Sequence, residues 1–271
     1  MRLICLLVLL ALAGHGIAAD VETPPASARV VRVYDGDTYT LENGERVRLK
    51  GVNTTELRPK EPFGEEAREA AKAFLLGRMV ELRYGSVVRD GYGRLVADVL
   101  VDGKSLETHL VRLGLGHVFL LPPIEGDVAP LLEAQAAARG ERIGIWSDPH
   151  FRGPFHITSF HANGRGDERE DPNAEYARIC NITDTPQNLS GYRVTNARGR
   201  SFRLPEVVIP PGHTFELRSG AGEHQVDPER QIRIHLGSRV PVWNNKVDRL
   251  TLLDPRGQIV DVRDHKVASQ R

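Results

Sequence analysis

Cysteine is almost absent from the chain, with only Cys5 and Cys180 in 271 residues. Cys5 sits in an apolar run at the start. If that run is removed, Cys180 has no partner and no internal disulfide can form. Cys180 lies in the alternating run Ala177 to Ile182, where a small core residue is expected, not a reactive thiol. Net charge is absent too, with 36 Lys/Arg against 36 Asp/Glu. Residues 20–150 carry 17 basic against 21 acidic groups, a net of −4, and residues 151–271 carry 18 against 15, a net of +3. Neither half has the field of a polybasic protein, so any polyanion must be held by locally placed arginines or a metal. After the first residues no apolar stretch is long enough to cross a bilayer. Charged residues at 27% and hydrophobic residues at 40% exclude wholesale disorder and allow a packed core.

What is present begins with a leader. Arg2 precedes the short apolar run Leu3 to Ala13, and Ile17-Ala18-Ala19 offers a small residue for cleavage before Asp20. Residues 1–19 therefore read as a signal peptide, and the mature protein is expected to be secreted or periplasmic. Cys5 lies inside the apolar run and no cysteine follows the small residues, which argues against a lipoprotein signal.

The length fits one large domain or two ordinary ones. Arg29 to Leu41 is rich in β-branched residues, Asn43-Gly44 is a hairpin turn, and Arg46 to Val52 returns. Glu65 to Met79 has a helical period with Ala67, Ala70, Ala71 and Phe74 on one face and acids early, where they suit the helix dipole. Val80 to Tyr84 and Leu95 to Val101 read as strands, and Leu106 to Leu113 and Val128 to Ala138 as helices. The order predicts a small antiparallel barrel with helices packed on it, an α+β domain over residues 29–149. After Pro149 the texture changes. Residues 161–173 read as a mobile loop. Short alternating runs follow, such as Tyr176 to Ile182, Thr214 to Leu217, Ile232 to Leu236 and Arg249 to Leu253, separated by Pro/Gly turns. That pattern predicts an all-β sandwich over residues 154–267.

Four clusters in the first domain bear on chemistry: Asp35-Gly36-Asp37-Thr38, then Arg48 with Asn53-Thr54-Thr55-Glu56, then Asp90-Gly91-Tyr92-Gly93-Arg94, and last the helix and Trp146 that close the domain. Phosphodiester hydrolysis builds negative charge in its transition state. Arginine meets it with a fixed fork of donors. A hard cation takes carboxylate and carbonyl oxygens, and a carboxylate can orient or deprotonate the attacking water. Asp37 and Asn53 supply oxygen ligands, Glu56 the base, and Arg48 and Arg94 the clamps. Singly, each is ordinarily a solvated turn or a surface side chain; their ordered combination carries the reading.

The segments VVRVYDGDTYTL, RLKGVNTTE, FGEEAREAAKAFL, DGYGRLVADVLVDGKSLETHLVRLGLGHV and EAQAAARGERIGIWSD resemble, in this order, the staphylococcal-nuclease-like (thermonuclease) family. The resemblance implies a five-stranded OB-fold barrel with three helices. It assigns calcium to Asp37, Asn53 and the Thr54 carbonyl, makes Glu56 the water-activating base, and makes Arg48 and Arg94 the phosphate clamps. Asp35 falls at an acidic position beside the metal, and Tyr92 at a position that contacts a substrate phosphate. It implies cleavage of DNA and RNA leaving 3′-phosphate ends. DPNAEYARICNIT, NLSGYRVTN, PEVVIPPGHTFELRSG and VPVWNNKVDRLTLLDPRGQIVD resemble a lamin-tail domain, an immunoglobulin-like sandwich. That implies tethering to an envelope or extracellular partner, or substrate capture. Arg198, Arg200 and Arg203 offer contacts to a phosphate backbone or, at least equally, a solvated strand edge.

Departures from the family pattern set the alternatives. Asn53 stands where family members have aspartate, which predicts weaker calcium binding. Thr55 replaces a proline and is expected to loosen the loop carrying Glu56. Gly91 replaces a phosphate-contacting lysine. His117 to Pro123 lacks stacking tyrosines, with Phe119 as a partial substitute. The runner-up reading is therefore a nucleic-acid-binding module that is catalytically weak or inactive. A third is chiefly an envelope interaction protein. His150, His156 and His161 show no fixed metal-ligand spacing.

Overall fold

A computed structural model describes residues 23–58, 60–164 and 170–266. The expected signal peptide, Cys5 and the centre of the 161–173 loop lie outside the described residues.

The first domain runs β1 (Ser27–Val33), β2 (Thr38–Leu41), β3 (Arg46–Leu49), β4 (Val52–Thr54), α1 (Gly64–Leu75), β5 (Met79–Arg89), β6 (Leu95–Val101), β7 (Lys104–Ser105), α2 (Leu106–Arg112), β8 (Gly116–Val118) and α3 (Ala129–Gly140). Antiparallel pairing follows β3-β2-β1-β5-β6, and a parallel β3–β6 pairing closes the sheet into a five-stranded barrel. Strict alternation along β6 sends Leu95, Ala97, Val99 and Val101 inward, where they meet Val30, Tyr39, Leu41 and Val47. Ala67, Ala71 and Leu75 of α1 and Leu106 and Leu110 of α2 cap this core. Helix α1 ends four residues before the expected Met79. Leu76 turns extended, and Gly77 N donates to Val30 O at 2.9 Å, so the chain joins β1 and Met79 already belongs to β5.

One buried acid sets a pH dependence. Glu107 Oε1 accepts from Val99 N at 2.7 Å and Oε2 from the Ser105 hydroxyl at 2.6 Å. Burial pushes this carboxyl from 4.5 up to about 8. The folded chain keeps a proton that the unfolded chain releases. The stability that this group contributes is therefore full below 4.5 and lost as pH rises through 8. Glu107→Gln is expected to flatten the fall in urea midpoint between about pH 5 and about pH 9. A variant with the parent's pH dependence would refute this.

The second domain contains β9 (Phe155–His161), β10 (Tyr176–Asn181), β11 (Gln187–Asn188), β12 (Arg193–Thr195), β13 (Ser201–Arg203), β14 (Val208–Ile209), β15 (Thr214–Gly220), β16 (Gln225–Asp227), β17 (Gln231–Ser238), β18 (Val247–Leu253) and β19 (Ile259–Lys266). Sheet β16-β17-β15-β10-β9 packs on sheet β13-β12-β18-β19. Phe155, Ile179, Phe215, Leu217 and Ile234 of the first meet Val194, Leu250 and Leu252 of the second, with Trp243 buried among them.

The two domains share a third apolar cluster of Ala138, Ile145, Trp146 and Phe151 with Cys180 and Ile182. Cys180 is wholly buried, and burial pushes its thiol far up, as a core residue requires. Polar ties cross the same seam. Arg139 Nη1 donates to Ile182 O at 2.6 Å, Leu120 N to Gly212 O at 2.8 Å and Thr214 Oγ1 to Leu120 O at 3.2 Å. Half-buried His150 and buried His156 meet Asp261 at the junction, at 3.2 and 3.0 Å. The fold thus gathers three metal-capable groups that the sequence spacing did not reveal. Asp261 also accepts from Ile157 N at 2.5 Å and Val262 N at 2.7 Å, so protein groups already occupy both its oxygens.

Candidate active site

The acidic turn between β1 and β2 carries Asp35 and Asp37 against β4. Asp37 Oδ2 accepts from Thr54 N at 2.8 Å and Thr54 Oγ1 at 3.0 Å, and Oδ1 from the Thr38 hydroxyl at 3.1 Å. Asp35 Oδ1 accepts from Asp37 N at 3.1 Å. Gly36 permits this approach, since a Cβ there would stand 2.6 Å from Thr54 Cγ2.

Arg48 on β3 is half-buried, with Nε 3.4 Å from Asp37 Oδ1. Its Nη1 donates to Leu49 O at 2.6 Å and Val52 O at 2.8 Å, and Nη2 to Asn53 Oδ1 at 2.9 Å. The guanidinium thus braces the loop into β4 from inside. Asn53 Nδ2 in turn donates to Thr54 O at 3.3 Å, the carbonyl expected to be a ligand. Arg94 is held differently. Asp90 Oδ1 accepts from Tyr92 N and Arg94 N at 2.9 and 3.0 Å, folding the β5–β6 turn, and Oδ2 accepts from Arg94 Nε at 2.7 Å. The Arg94 guanidinium lies 5.3 Å from the ring centre of Tyr92, which is 69% exposed. Asp90 went unassigned in the sequence, although its place four residues before Arg94 was a usable signal.

Glu56 follows β4 in a loop tied across the domain junction. Its amide donates to Glu61 Oε2 at 2.7 Å, and Glu61 N returns to Glu56 O at 2.9 Å. The other oxygen of Glu61 pairs with Arg263 of β19. Gly64 lets α1 start against this loop, because a Cβ would stand 3.0 Å from Glu56 O. Thr55 is buried, so the loop expected to be loosened there is packed and pinned. Glu61 and Arg263 escaped the sequence reading because they lie 202 positions apart.

Burial first, then Asp37, Asp35 and Glu61, push the Glu56 carboxyl up to about 7, against the pull of Arg263. Burial and Asp37 push Asp35 up to about 6. Three carboxylates thus crowd one cleft and repel one another. The donor set is all oxygen: Asp35, Asp37, Asn53 Oδ1 and Thr54 O. Asp37 Oδ2 is filled by its two bonds from Thr54, whereas Asp37 Oδ1, Asn53 Oδ1 and Thr54 O each accept one side-chain hydrogen bond and keep a second lone pair. Such a set fits a hard cation of the calcium type and suits neither zinc nor copper.

Asp35, Asp37, Arg48, Asn53, Glu56, Tyr92 and Arg94 line one cavity of about 890 Å³, with Thr54 behind its wall. Phe119 also lines it but packs against the junction cluster, edge-on to His117 at 6.2 Å. Arg198, Arg200 and Arg203 do not line it. Arg200 donates to the Ser238 hydroxyl at 2.9 Å and lies 4.9 Å from the Phe202 ring centre.

The Staphylococcal nuclease homologue family model matches residues 46–148, and the Lamin Tail Domain model matches residues 152–266. A thermonuclease of Staphylococcus intermedius is 33% identical over 124 residues, 43% of this chain and 74% of that protein. Protein ParB of Escherichia coli is 29% identical over 170 residues, 58% of this chain and 94% of its own length. Endonuclease YncB of Bacillus subtilis is 32% identical over 125 residues, 43% of this chain and 59% of its own.

Proposed function

Because the chain belongs to the staphylococcal nuclease homologue family, with a lamin tail domain behind the nuclease domain, we propose that it is an exported, calcium-dependent phosphodiesterase that cuts DNA and RNA. The observation that carries this reading is the convergence of Glu56, Arg48 and Arg94 on one cleft with Asp35 and Asp37. Asp37, Asn53 and the Thr54 carbonyl, with Asp35 beside them, would hold calcium, which would neutralise charge on the phosphate. Glu56 takes a proton from the attacking water. Arg94, aimed by Asp90 and flanked by Tyr92, donates to the oxygens that gain charge. Arg48 links Asp37 to the Leu49 and Val52 carbonyls and has one Nη2 N–H left for the phosphate. Export rests on the Arg2 and Leu3 to Ala13 pattern.

Plasmid DNA incubated with purified protein is expected to degrade in calcium and to persist in excess chelator. Intact DNA in calcium, or equal degradation in chelator, would overturn the reading. The alternative, binding without cleavage, draws on Arg48, whose three nitrogens all face protein oxygens. A bound but uncut substrate in the same assay would establish it.

Asn53→Asp restores a negative charge to the ligand set. Calcium is then expected to bind more tightly, by on the order of tenfold or about 1.4 kcal/mol. Calorimetric titration checks this, and equal or weaker binding would show that Asn53 is not a ligand. Arg263→Ala removes the anchor of Glu61 and so of the Glu56 loop. A fall in kcat of about tenfold with little change in KM is expected. An unchanged kcat would detach the second domain from the chemistry.

A further inference from the structure

Strand alternation gives the five-stranded sheet of the second domain two unlike faces. Ala177, Ile179, Phe215, Leu217, Ile232 and Ile234 point into the sandwich core. On the other face, cross-strand register aligns Ser159, Arg178, Glu216 and Arg233 in one row. The next row aligns His161, Tyr176, Arg218 and His235. Three arginines converge on the buried carboxylate of Glu216. Its Oε1 accepts from Arg218 Nε and Arg233 Nε, each at 2.8 Å, and Oε2 from Arg178 Nη2 at 3.1 Å.

One carboxylate cannot neutralise three guanidiniums, and arginine does not escape the excess by losing its proton. Two positive charges therefore remain on a half-buried surface, where water screens them less than at an exposed site. Arg178 registers the strain: burial, with Arg218 and Arg233 adding to it, pulls its pKa down despite Glu216. Each guanidinium has five N–H donors, and Arg178 and Arg233 each give one to Glu216. The ring of Tyr176 is stacked by His161 at 4.3 Å and 21° and flanked by the Arg218 guanidinium at 4.8 Å. What this face offers is cationic donors on a rigid support, which is the chemistry of phosphate contact without base readout.

Its place gives the occupant. Ser159, Tyr176 and Arg178 line the same cavity as Arg48, Glu56 and Arg94. Tyr92 of the nuclease domain lines it as well. The basic face is thus continuous with the cleft. We infer that this sheet face grips backbone phosphates of the nucleic-acid strand whose scissile bond lies in the cleft, extending the substrate track from the nuclease domain onto the lamin tail domain. This deepens the nuclease reading of the cleft and rests on it. The net charge of the chain hides the track, since the basic row is embedded in a nearly neutral sequence.

The test uses the full chain in calcium and a fluorescent single strand of about 15 nucleotides, long enough to cross both surfaces. Binding is measured in a Glu56→Gln background as salt is varied. Replacing Arg218 and Arg233 together by glutamine leaves Arg178 to pair with Glu216, so no buried acid is stranded. This variant is expected to bind about tenfold more weakly. Its slope of log affinity against log salt should fall by about 1.4, or about 0.7 for each phosphate no longer neutralised. Lysine at both positions should keep most of the slope. Ser159→Glu, which breaks no ion pair, should weaken binding in the same direction. In the Glu56 enzyme, the rise in KM caused by the glutamine pair should be at least about tenfold larger for the long strand than for a chromogenic mononucleotide diester.

Unchanged affinity and slope in the folded glutamine pair, or equal losses on long and short substrates, would overturn the inference. If that variant fails to fold, Ser159→Glu decides alone, and unaltered binding by it overturns the inference. If the wild-type chain cuts nothing while the slope still falls in these variants, the nuclease reading fails and the phosphate track stands.

Discussion

Replacing Glu56 by glutamine is expected to lower kcat by about 10²–10⁴-fold while leaving calcium binding within a few-fold of wild type. Glutamine keeps the shape and the loop ties, because it is the Glu56 amide and carbonyl that meet Glu61, not the side chain. What is lost is the capacity to take a proton from water. With no metal bound, burial and then the carboxylates of Asp37 and Asp35 push the Glu56 carboxyl up to about 7; calcium on Asp37 would draw it down and favour the ionised base. The barrier change corresponds to about 3–5 kcal/mol. Steady-state rates on a calcium-saturated oligonucleotide check this. A variant within tenfold of wild type would mean that another group activates the water.

The second large effect concerns stability. Asp261→Ala is expected to destabilise the chain by about 3–5 kcal/mol and to lower Tm by about 6–10 °C. The Asp261 side chain is wholly buried and accepts from Ile157 N at 2.5 Å while meeting His150 and His156 at 3.2 and 3.0 Å. Alanine strands the buried Ile157 N–H, takes the nearby carboxylate from buried His156 and removes the partner of the partly exposed His150 at the seam between the domains. Thermal unfolding of the variant measures it. A Tm within a few degrees of wild type would mean that water or a neighbouring group satisfies these donors. The loss should also reach the cleft, since Arg263 lies two residues along the same strand and holds Glu61.

The barrel and the sandwich were legible because their signals are local. Leu95 to Val101 alternates perfectly, and the structure places β6 at those bounds. The first-domain cleft was legible for a different reason: Asp35, Asp37, Arg48, Asn53, Glu56, Tyr92 and Arg94 lie within 60 residues, in an order that a resemblance could fix. Helix α1 stops at Leu75, short of the expected Met79, because Gly77 is a local stop signal: it takes φ 76° directly after the extended Leu76, and its N–H joins β1. What the sequence hid depends on long separations. Arg263 meets Glu61 across 202 positions. Arg178, Arg218 and Arg233 join Glu216 only once three strands are in register. Arg198, Arg200 and Arg203 sit close in sequence at the β12–β13 hairpin of the other sheet and do not line the cleft. His150 and His156 acquire Asp261 in the same way, so spacing alone could not show the cluster.

One cleft that hydrolyses phosphodiesters with Glu56, Arg48, Arg94 and a calcium ion stands at the centre of this reading. Its most direct test is the digestion of end-labelled DNA and RNA oligonucleotides by the purified chain in calcium and in chelator, with product termini identified by mass. Fragments ending in 3′-phosphate are expected in calcium, and intact oligonucleotides in chelator. Fragments ending in 3′-hydroxyl, or the same digestion in both conditions, would contradict it.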